Sequence, residues 1–537
     1  SDIRNVVDCL KGRPELRGRR SGVRILPLHS SLSSHEQNLV FQVPPPGVRK
    51  VIVSTNISET SVTIEDVVYV IDTCLVKENS YDEESQMNVL AVQWISQANA
   101  RQRRGRAGRV RSGVCYHLAS SFTVNSFTEF SVPEMLRMSL EDLVLQVLAL
   151  DLGDPYEFLS GALSPPECHA VTNAIVFLES LGAVYIENLD TSAPEVLHQL
   201  NNGTLDVPLL SGISPLGYHL AALPVSPRIG KLMLYGVLLK CIDPILTISS
   251  MVSMKSPFVV PFNDKDAADA AKLNFLDGNS DLISMLNAFS CWKKEFVDVN
   301  PDEIDRRGGK MAIRRDEDVF CRSNFLSPNS LQIIDQTRCQ FLGLLQSIGF
   351  ISHDVTPESI SKCSENLYGG NVGVVKCVIC AGLSPNIIKV PPSASGNKKH
   401  IVLNKALQDI SLLTRKKHTF MNVHPSSIIS SVKSLDSRYM AFVDAMKTSK
   451  VYAKDVSTVQ PLSLALFCGK VICREQQGVI VVDGWIKFSA SVNVIRCITR
   501  IRDTMEEAFI AKVLDPSTES SKLWNKVLVH VKDILDI

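Results

Sequence analysis

Four short runs near the start of the chain limit its fold more than any other feature: VRILPL (Val23–Leu28), RKVIVS (Arg49–Ser54), VVYVID (Val67–Asp72) and GVCYHL (Gly113–Leu118). Each is rich in β-branched residues and nearly continuously apolar, the pattern of parallel strands buried on both faces. Between the first two lies SSHEQNLVFQ, where Ser33 followed by Glu36 predicts a capping box opening a helix. Strand, helix, strand implies an open α/β sheet, whose ligands gather at the carboxyl ends of its strands. The chain opens on a helix-like segment, Asp2 to Leu10, with no strand ahead of it. A sheet of this kind is expected to have one there, so the sequence reads as a fragment.

The texture changes after about residue 126. MSLEDLVLQVLAL (Met138–Leu150) and SPPECHAVTNAIVFLESLG (Ser164–Gly182) carry helical periodicity, the second with Ser164 and Pro165 as start signals and Gly182 as stop. A strand, AVYIEN, follows, an order that fits a small winged-helix unit. Residues 212–350 are mostly helical, with Gly230–Ser253 and Ser330–Phe350 as the clearest amphipathic segments. Residues 351–370 are polar and irregular. After about 385, short strands return (NIIKV, HIVLN, FMNVH, VIVVDGWIKF), predicting a small β-barrel and a C-terminal extension.

At 537 residues the chain has room for roughly three to five domains. Its 56 basic and 56 acidic residues cancel, so any case for a nucleic-acid partner rests on local clusters. No apolar run approaches the roughly 18 residues of a membrane span. The 14 cysteines sit mostly inside apolar runs, which predicts reduced thiols and a cytoplasmic or nuclear location. The C-x-x-C pair Cys377 and Cys380 has no second pair nearby and reads as two buried helix cysteines, with no metal site.

One cluster stands out. Six of the eleven residues from Arg101 to Arg111 are arginine, with no acid among them and glycines at 105 and 108. Ser96 is placed to cap a helix running into this stretch. At about 100° per residue, with Gln102 at zero, Arg106 falls at about +40° and Arg109 at about −20°. One amide and two guanidiniums then share a face, while Arg101, Arg103, Arg104 and Arg111 point elsewhere. Each glycine costs a helix roughly 1 kcal/mol relative to alanine, a cost that makes sense where a ligand or a strand approaches the backbone closely. Two guanidiniums on one face suit a triphosphate, and a neighbouring glutamine suits an attacking water. A nucleic-acid or nuclear-import patch accounts for the arginines equally well when the run is taken alone.

The surrounding residues favour the first reading. STNISETSVTI (Ser54–Ile64) and QRRGRAGR (Gln102–Arg109) resemble motifs V and VI of the DEAH/DExH-box RNA helicases of superfamily 2, and LPLHSSL (Leu26–Leu32) resembles their motif IV. SPLGYHLAALPVSPRIGKLMLYG (Ser214–Gly236), DPILTISSMVSMKSPFVVP (Asp243–Pro261), FCRSNFLSP (Phe320–Pro328) and HPSS (His424–Ser427) are similar to that family's C-terminal signatures. The resemblance covers nearly the whole chain. It implies a second RecA-like domain over 1–125, a winged helix over 126–200, a helical ratchet-like bundle over 201–370, an OB-fold over 371–475 and a C-terminal extension over 476–537. The fold class is therefore an α/β RecA-like domain followed by winged-helix, helical-bundle and OB-fold β-barrel domains.

The resemblance also implies roles. Gln102, Arg106 and Arg109 face the triphosphate. Ser61 and Thr63 lie near the nucleotide and its catalytic water, with Glu65 standing where the family usually has aspartate. Thr55, Asn56, Ser30 and Ser31 touch RNA backbone, the sequence-blind contact a translocating enzyme needs. The segment LVKENSYDEESQMNVLAVQWIS resembles the family's long β-hairpin, which helps separate strands, with its turn near Asp82–Gln86. In the OB region, LTRKKHTF places Lys416 and Lys417 near Phe420, either lining a single-strand channel or forming a solvated loop. His29 and His424 read as structural, Lys11–Arg24 as a linker, and Asp302–Asp318 as an exposed insertion.

Two parts of an ATPase are missing. The Gly-Lys pairs at 230–231, 309–310 and 469–470 are followed by Leu, Met and Val, so none is a G-x-x-x-x-G-K-[ST] phosphate loop. There is no D-E-x-H. In the resembling family those motifs sit on a first RecA-like domain, which would bind most of the ATP and Mg2+. The expected partners are single-stranded RNA backbone, ATP and a protein activator on the OB or winged-helix face, with no membrane. A non-catalytic RNA-binding scaffold and a DNA-directed relative are the alternative readings.

Overall fold

The structure is a computed structural model that describes residues 2–13, 22–29, 39–60, 64–82, 87–186, 210–254, 256–259, 265–306, 309–391, 401–403, 406–407, 410–414, 420–430, 432, 434–447, 450–515 and 522–535. The predicted capping box at Ser33 lies outside the described residues. Two compact units emerge, one formed by residues 1–81 and 88–138, the other by 82–87 and 139–537.

In the first unit, β1 (Val23–Leu28) pairs in parallel with β2 (Arg49–Ser54), Val23 opposite Arg49 and Leu28 opposite Ser54. β3 (Tyr69–Asp72) pairs in parallel with β6 (Val114–His117). Between them in sequence, β4 (Leu75–Asp82) and β5 (Met87–Trp94) form the expected hairpin. The strands are less buried than their apolar sequences predict. Tyr69 and Ile71 on β3 are 68% and 71% exposed, and Tyr116 on β6 is 54% exposed. Parallel register puts these three and Val114 on one face of the pair, so only the opposite face, which carries Asp72, is covered. Gly113 is fixed by contact. A Cβ there would overlap the carbonyl oxygens of Ala107 and Val68, because β6 starts directly against the turn that follows the arginine helix.

The second unit begins with helices Glu141–Ala149, Pro155–Ser160 and Cys168–Leu181, then the antiparallel pair β7 (Val184–Ile186) and β8 (Leu210–Ile213). Gly182 ends the third helix in the left-handed region, at φ 80°, as its position predicts. Ser164 and Pro165 do not start that helix; Glu167 holds the cap position instead. The amphipathic segment Gly230–Ser253 is not one helix but two, Pro227–Leu238 and Ile242–Ser253, with Lys240 at φ 54° between them. Pro244 enforces the break, since its ring would strike the carbonyl at position 240 of a continuous helix. The segment Asp302–Asp318 is helical within Pro301–Arg306 and Lys310–Ser323, with Gly309 outside both helices, and Ile313 is buried.

Helix Val372–Leu383 runs through the main apolar core, and Cys377 and Cys380 on it are fully buried, as expected. Trp524, on the last helix, reaches the same core and donates to Leu238 O at 3.1 Å. Lys231 is also buried in this unit, its Nζ 5.7 Å over the Tyr235 ring. Burial pushes its ammonium down from 10.5 to about 8, against weaker upward pulls led by Cys468 and Asp483. The unfolded chain keeps this proton up to about 10.5, whereas the folded chain releases it near 8. Stability therefore rises with pH across that window, and below it the charged lysine costs its full penalty. Lys231→Met is expected to stabilise the chain by about 1–3 kcal/mol at pH 7, with the gap closing by pH 10. Urea unfolding of both proteins at the two pH values measures this.

Five strands close into a barrel in the order β11-β12-β15-β14-β9: Leu412–Leu413, Phe420–Val423, Val451–Val459, Tyr439–Lys447 and Ile387–Lys389. Beside it, β10 (Ile401–Val402) pairs with β13 (Ser434–Leu435). The stretch VIVVDGWIKF is not part of the barrel. Its two strands, β17 (Val479–Val482) and β18 (Ile486–Ser489), join β16 (Val471–Arg474) in a separate antiparallel sheet. Asp483 and Gly484 turn between them at φ 48° and 73°. No helix among the described residues is long and apolar enough to cross a membrane.

Candidate functional site

The arginine run begins as predicted. Ser96 caps helix Gln97–Arg104, its Oγ accepting from the Asn99 N–H at 3.2 Å. Downstream the geometry departs from a continuous helix. At Gly105 the chain tightens into a 3₁₀ turn, Gly105–Gly108, the Gly105 N–H sharing the carbonyls of Arg101 and Arg103. With about 120° per residue in that turn, Arg106 and Arg109 eclipse each other, roughly 80° around from Gln102. That backbone spacing brings the Cα positions of 106 and 109 closer in angle than an α-helix would and puts Gln102 to their side.

Gln102 and Arg109 are exposed, and Arg106 is half-buried. Arg106 Nη2 donates to the carbonyl of Glu59, at the end of helix Ile57–Thr60. Burial, then the charge of Arg109, lowers the Arg106 pKa from its ordinary value. Of the two meanings open to these glycines, a tightly packed strand is not seen among the described residues. A Cβ on Gly105 or Gly108 would meet no other element within 4 Å among the described residues.

Thr55 and Asn56 stand exposed just beyond the carboxyl end of β2. Thr55 N–H donates to Leu28 O at 3.1 Å, and the Asn56 carbonyl receives Glu59 N–H at 2.8 Å, so the backbone is pinned while the side chains face out. Glu65 is exposed as well. Ser30, Ser31, Ser61, Thr63, Lys416 and Lys417 lie outside the described residues. Phe420, beside the last two in sequence, is 52% exposed on the barrel. His424 Nδ1 lies 2.7 Å from Ser426 Oγ. The HPSS loop is held by buried Asp281, which accepts from Ser427 Oγ at 2.7 Å, Ile428 N–H at 2.8 Å and Val456 N–H at 2.8 Å. Burial nevertheless outweighs these donors and raises the Asp281 carboxyl to about 6.

One residue that the helical wheel set aside is central. Arg103 Nε lies 2.9 Å from Glu59 Oε2 and its Nη1 2.9 Å from Asp72 Oδ1, both carboxylates being buried. Nη1 also donates to Leu75 O at 3.1 Å. Burial opposes its charge, but the hydrogen bonds it donates to Asp72 and Glu59 prevail and raise its pKa. Asn99 Nδ2 bonds the other Glu59 oxygen. Arg103 thereby fastens the arginine helix to helix Ile57–Thr60 and to the end of β3. The signal was present in the sequence as an aspartate closing the apolar run VVYVID, a buried charge that needs a partner.

Known proteins resemble the chain along most of its length. Residues 5–111 match the helicase conserved C-terminal domain, 226–285 the ratchet-like helicase associated domain (HA2), 375–472 the oligonucleotide/oligosaccharide-binding (OB)-fold, and 478–535 the C-terminal domain in RNA helicases. The DExH-box ATP-dependent RNA helicase DExH1 of Arabidopsis thaliana is 34% identical over 520 residues, 96% of this chain and 46% of that protein. The ATP-dependent RNA helicase DHX29 of Homo sapiens is 33% identical over 512 residues, 95% of this chain and 34% of its own length. The ATP-dependent DNA/RNA helicase DHX36 of Bos taurus is 35% identical over 497 residues, 92% and 44% respectively. The chain spans less than half the length of these relatives.

Proposed function

Since the chain belongs to the DExH-box helicase family, we propose that it supplies the second RecA-like domain and the C-terminal domains of an ATP-dependent RNA helicase moving 3′ to 5′. The observation that carries this reading is the turn at Gly105–Gly108, whose spacing puts positions 106 and 109 on one side near 102, with no contact from the described residues over either glycine. In this reading the two arginines neutralise charge on the transferred phosphoryl group and Gln102 orients the attacking water. Ser61, Thr63 and Glu65 border the nucleotide. Thr55, Asn56, Ser30 and Ser31 hold RNA phosphates, and Lys416 and Lys417 line the single strand at the barrel. The β4–β5 hairpin separates strands. The domain limits given above, 1–125, 126–200, 201–370, 371–475 and 476–537, are part of the proposal.

In this family ATP and Mg2+ are held by a phosphate loop and a D-E-x-H motif, neither of which occurs in this sequence, so in this reading the chain holds half of the site. The 537-residue chain is expected to show no RNA-stimulated ATP hydrolysis above a protein-free blank, and to gain it when joined to a first RecA-like domain. A phosphate-release assay with single-stranded RNA tests both arms. RNA-stimulated turnover by the chain alone would overturn the half-site, and RNA binding without turnover by the joined protein would favour a scaffold. Similarity to a protein named a DNA/RNA helicase makes DNA a substrate to compare. Unwinding of duplexes with 3′ or 5′ tails, in RNA and DNA, reads direction and sugar together.

A further inference from the structure

Behind the arginine helix, the ends of β3 and β6 bring together three side chains that the proposed helicase chemistry does not use. One donor atom from each of Asp72, Cys74 and His117 lies within 4.8 Å of the other two. Cys74 Sγ is 3.4 Å from His117 Nδ1, and His117 Nδ1 is 3.4 Å from Asp72 Oδ2. The carboxylate is oriented by its other oxygen, Oδ1, which accepts from the Cys74 N–H at 2.9 Å and from Arg103 Nη1 at 2.9 Å. That leaves Oδ2 buried, and it receives no hydrogen bond among the described residues. An orphaned buried carboxylate oxygen is costly unless something cationic meets it. Cys74 itself sits at φ 59°, in the left-handed region that a side chain disfavours by about 1–2 kcal/mol.

We propose that Asp72, Cys74 and His117 bind a Zn2+ ion through Oδ2, the Cys74 thiolate and Nδ1, with solvent as the fourth ligand. Two of the three donor separations suit a tetrahedron, and the third lies within 4.8 Å. Bonds of about 2.3 Å to sulfur and roughly 2.0–2.1 Å to nitrogen and oxygen hold such donors about 3.3–3.6 Å apart, and both measured separations fall in that range. The donor set of thiolate, imidazole and carboxylate is one zinc favours. The charges also balance. Arg103 is paired with Glu59 as well as Asp72, so the ion meets one thiolate and one carboxylate. On binding, the Cys74 S–H bond gives way to S–Zn and the proton leaves to solvent. Solvent has a path along His117, whose side chain is 23% exposed while that of Asp72 is 2%. Cys115 Sγ, 3.8 Å from Nε2, lies at the ring's other nitrogen and is placed to hold the tautomer that frees Nδ1. Through Asp72 the ion would brace the clamp that seats Arg103.

The test is cobalt and zinc binding by the metal-stripped full chain. Co2+ is expected to give one thiolate charge-transfer band in the near ultraviolet, displaced by one equivalent of Zn2+. Cys74→Gly removes the ligand and relieves the left-handed backbone, so it should fold at least as well and lose the band. His117→Ala is expected to weaken Zn2+ binding, read by competition with a chromophoric chelator, by roughly tenfold or more. Absence of the band in the unmodified chain would overturn the proposal, as would an unchanged band and stoichiometry in Cys74→Gly. In either case the three residues would be an Asp–His pair with a thiol packed beside it.

Discussion

In a helicase assembled from this chain and a first RecA-like domain, Arg106→Lys is expected to cut RNA-stimulated ATP turnover by roughly 10³-fold or more while leaving RNA affinity within about twofold. An arginine finger acts mainly on charge that develops in the transition state, so its loss appears in kcat and not in ground-state binding. Lysine keeps the charge but not the planar fork, and at this position the difference is geometric. Arg106 spends one arm on the Glu59 carbonyl and so presents the remainder beside Arg109 from a fixed base. An ammonium that made the same carbonyl bond would have no second rigid arm to offer. Single-turnover phosphate release and RNA titration by anisotropy separate the two effects. If RNA affinity fell in step with turnover, Arg106 would be facing nucleic acid instead of triphosphate.

The parts of this site that could be read from sequence are those set by local chemistry. β1 and β2 fall on the predicted residues, since β-branched apolar runs have few other uses. Ser96 caps the arginine helix because an orphaned amide needs an acceptor at that place. The hairpin strands stop at Asp82 and resume at Met87, around the expected turn. What escaped the sequence depends on contacts between distant segments. The change from α to 3₁₀ geometry at Gly105 goes with the turn packing closely against Gly113, eight positions later in the chain. A helical wheel has no means of seeing that. The same wheel set Arg103 among the arginines that point away from the Gln102 face and gave it no role, yet its partners are Glu59 and Asp72, 44 and 31 residues away. Exposure of Tyr69, Ile71 and Tyr116 was equally hidden, because apolar composition describes what a strand is able to bury, not what covers it.

Arg103 carries the second large effect. Arg103→Ala leaves two carboxylates, of side-chain exposure 7% and 2%, without their shared cation. Removing one partner from a buried ion pair typically costs about 3–5 kcal/mol, since the remaining charge keeps its desolvation penalty and loses its compensation. The Leu75 carbonyl also loses a donor. The loss is expected to be local, because the clamp joins β3, helix Ile57–Thr60 and the arginine helix within one unit. Hydrogen exchange should therefore quicken roughly 10²–10³-fold at the β3 and β6 amides, and hardly at all in the barrel. Arg104→Ala, an exposed neighbour, is the control and should change little. Arg103→Lys should recover only part of the loss, as one ammonium cannot hold Glu59, Asp72 and a carbonyl in a planar fork. Equal exchange in the Arg103 and Arg104 variants would mean the clamp adds nothing to the unit's stability, and the role of Arg103 would have to be sought in ligand binding.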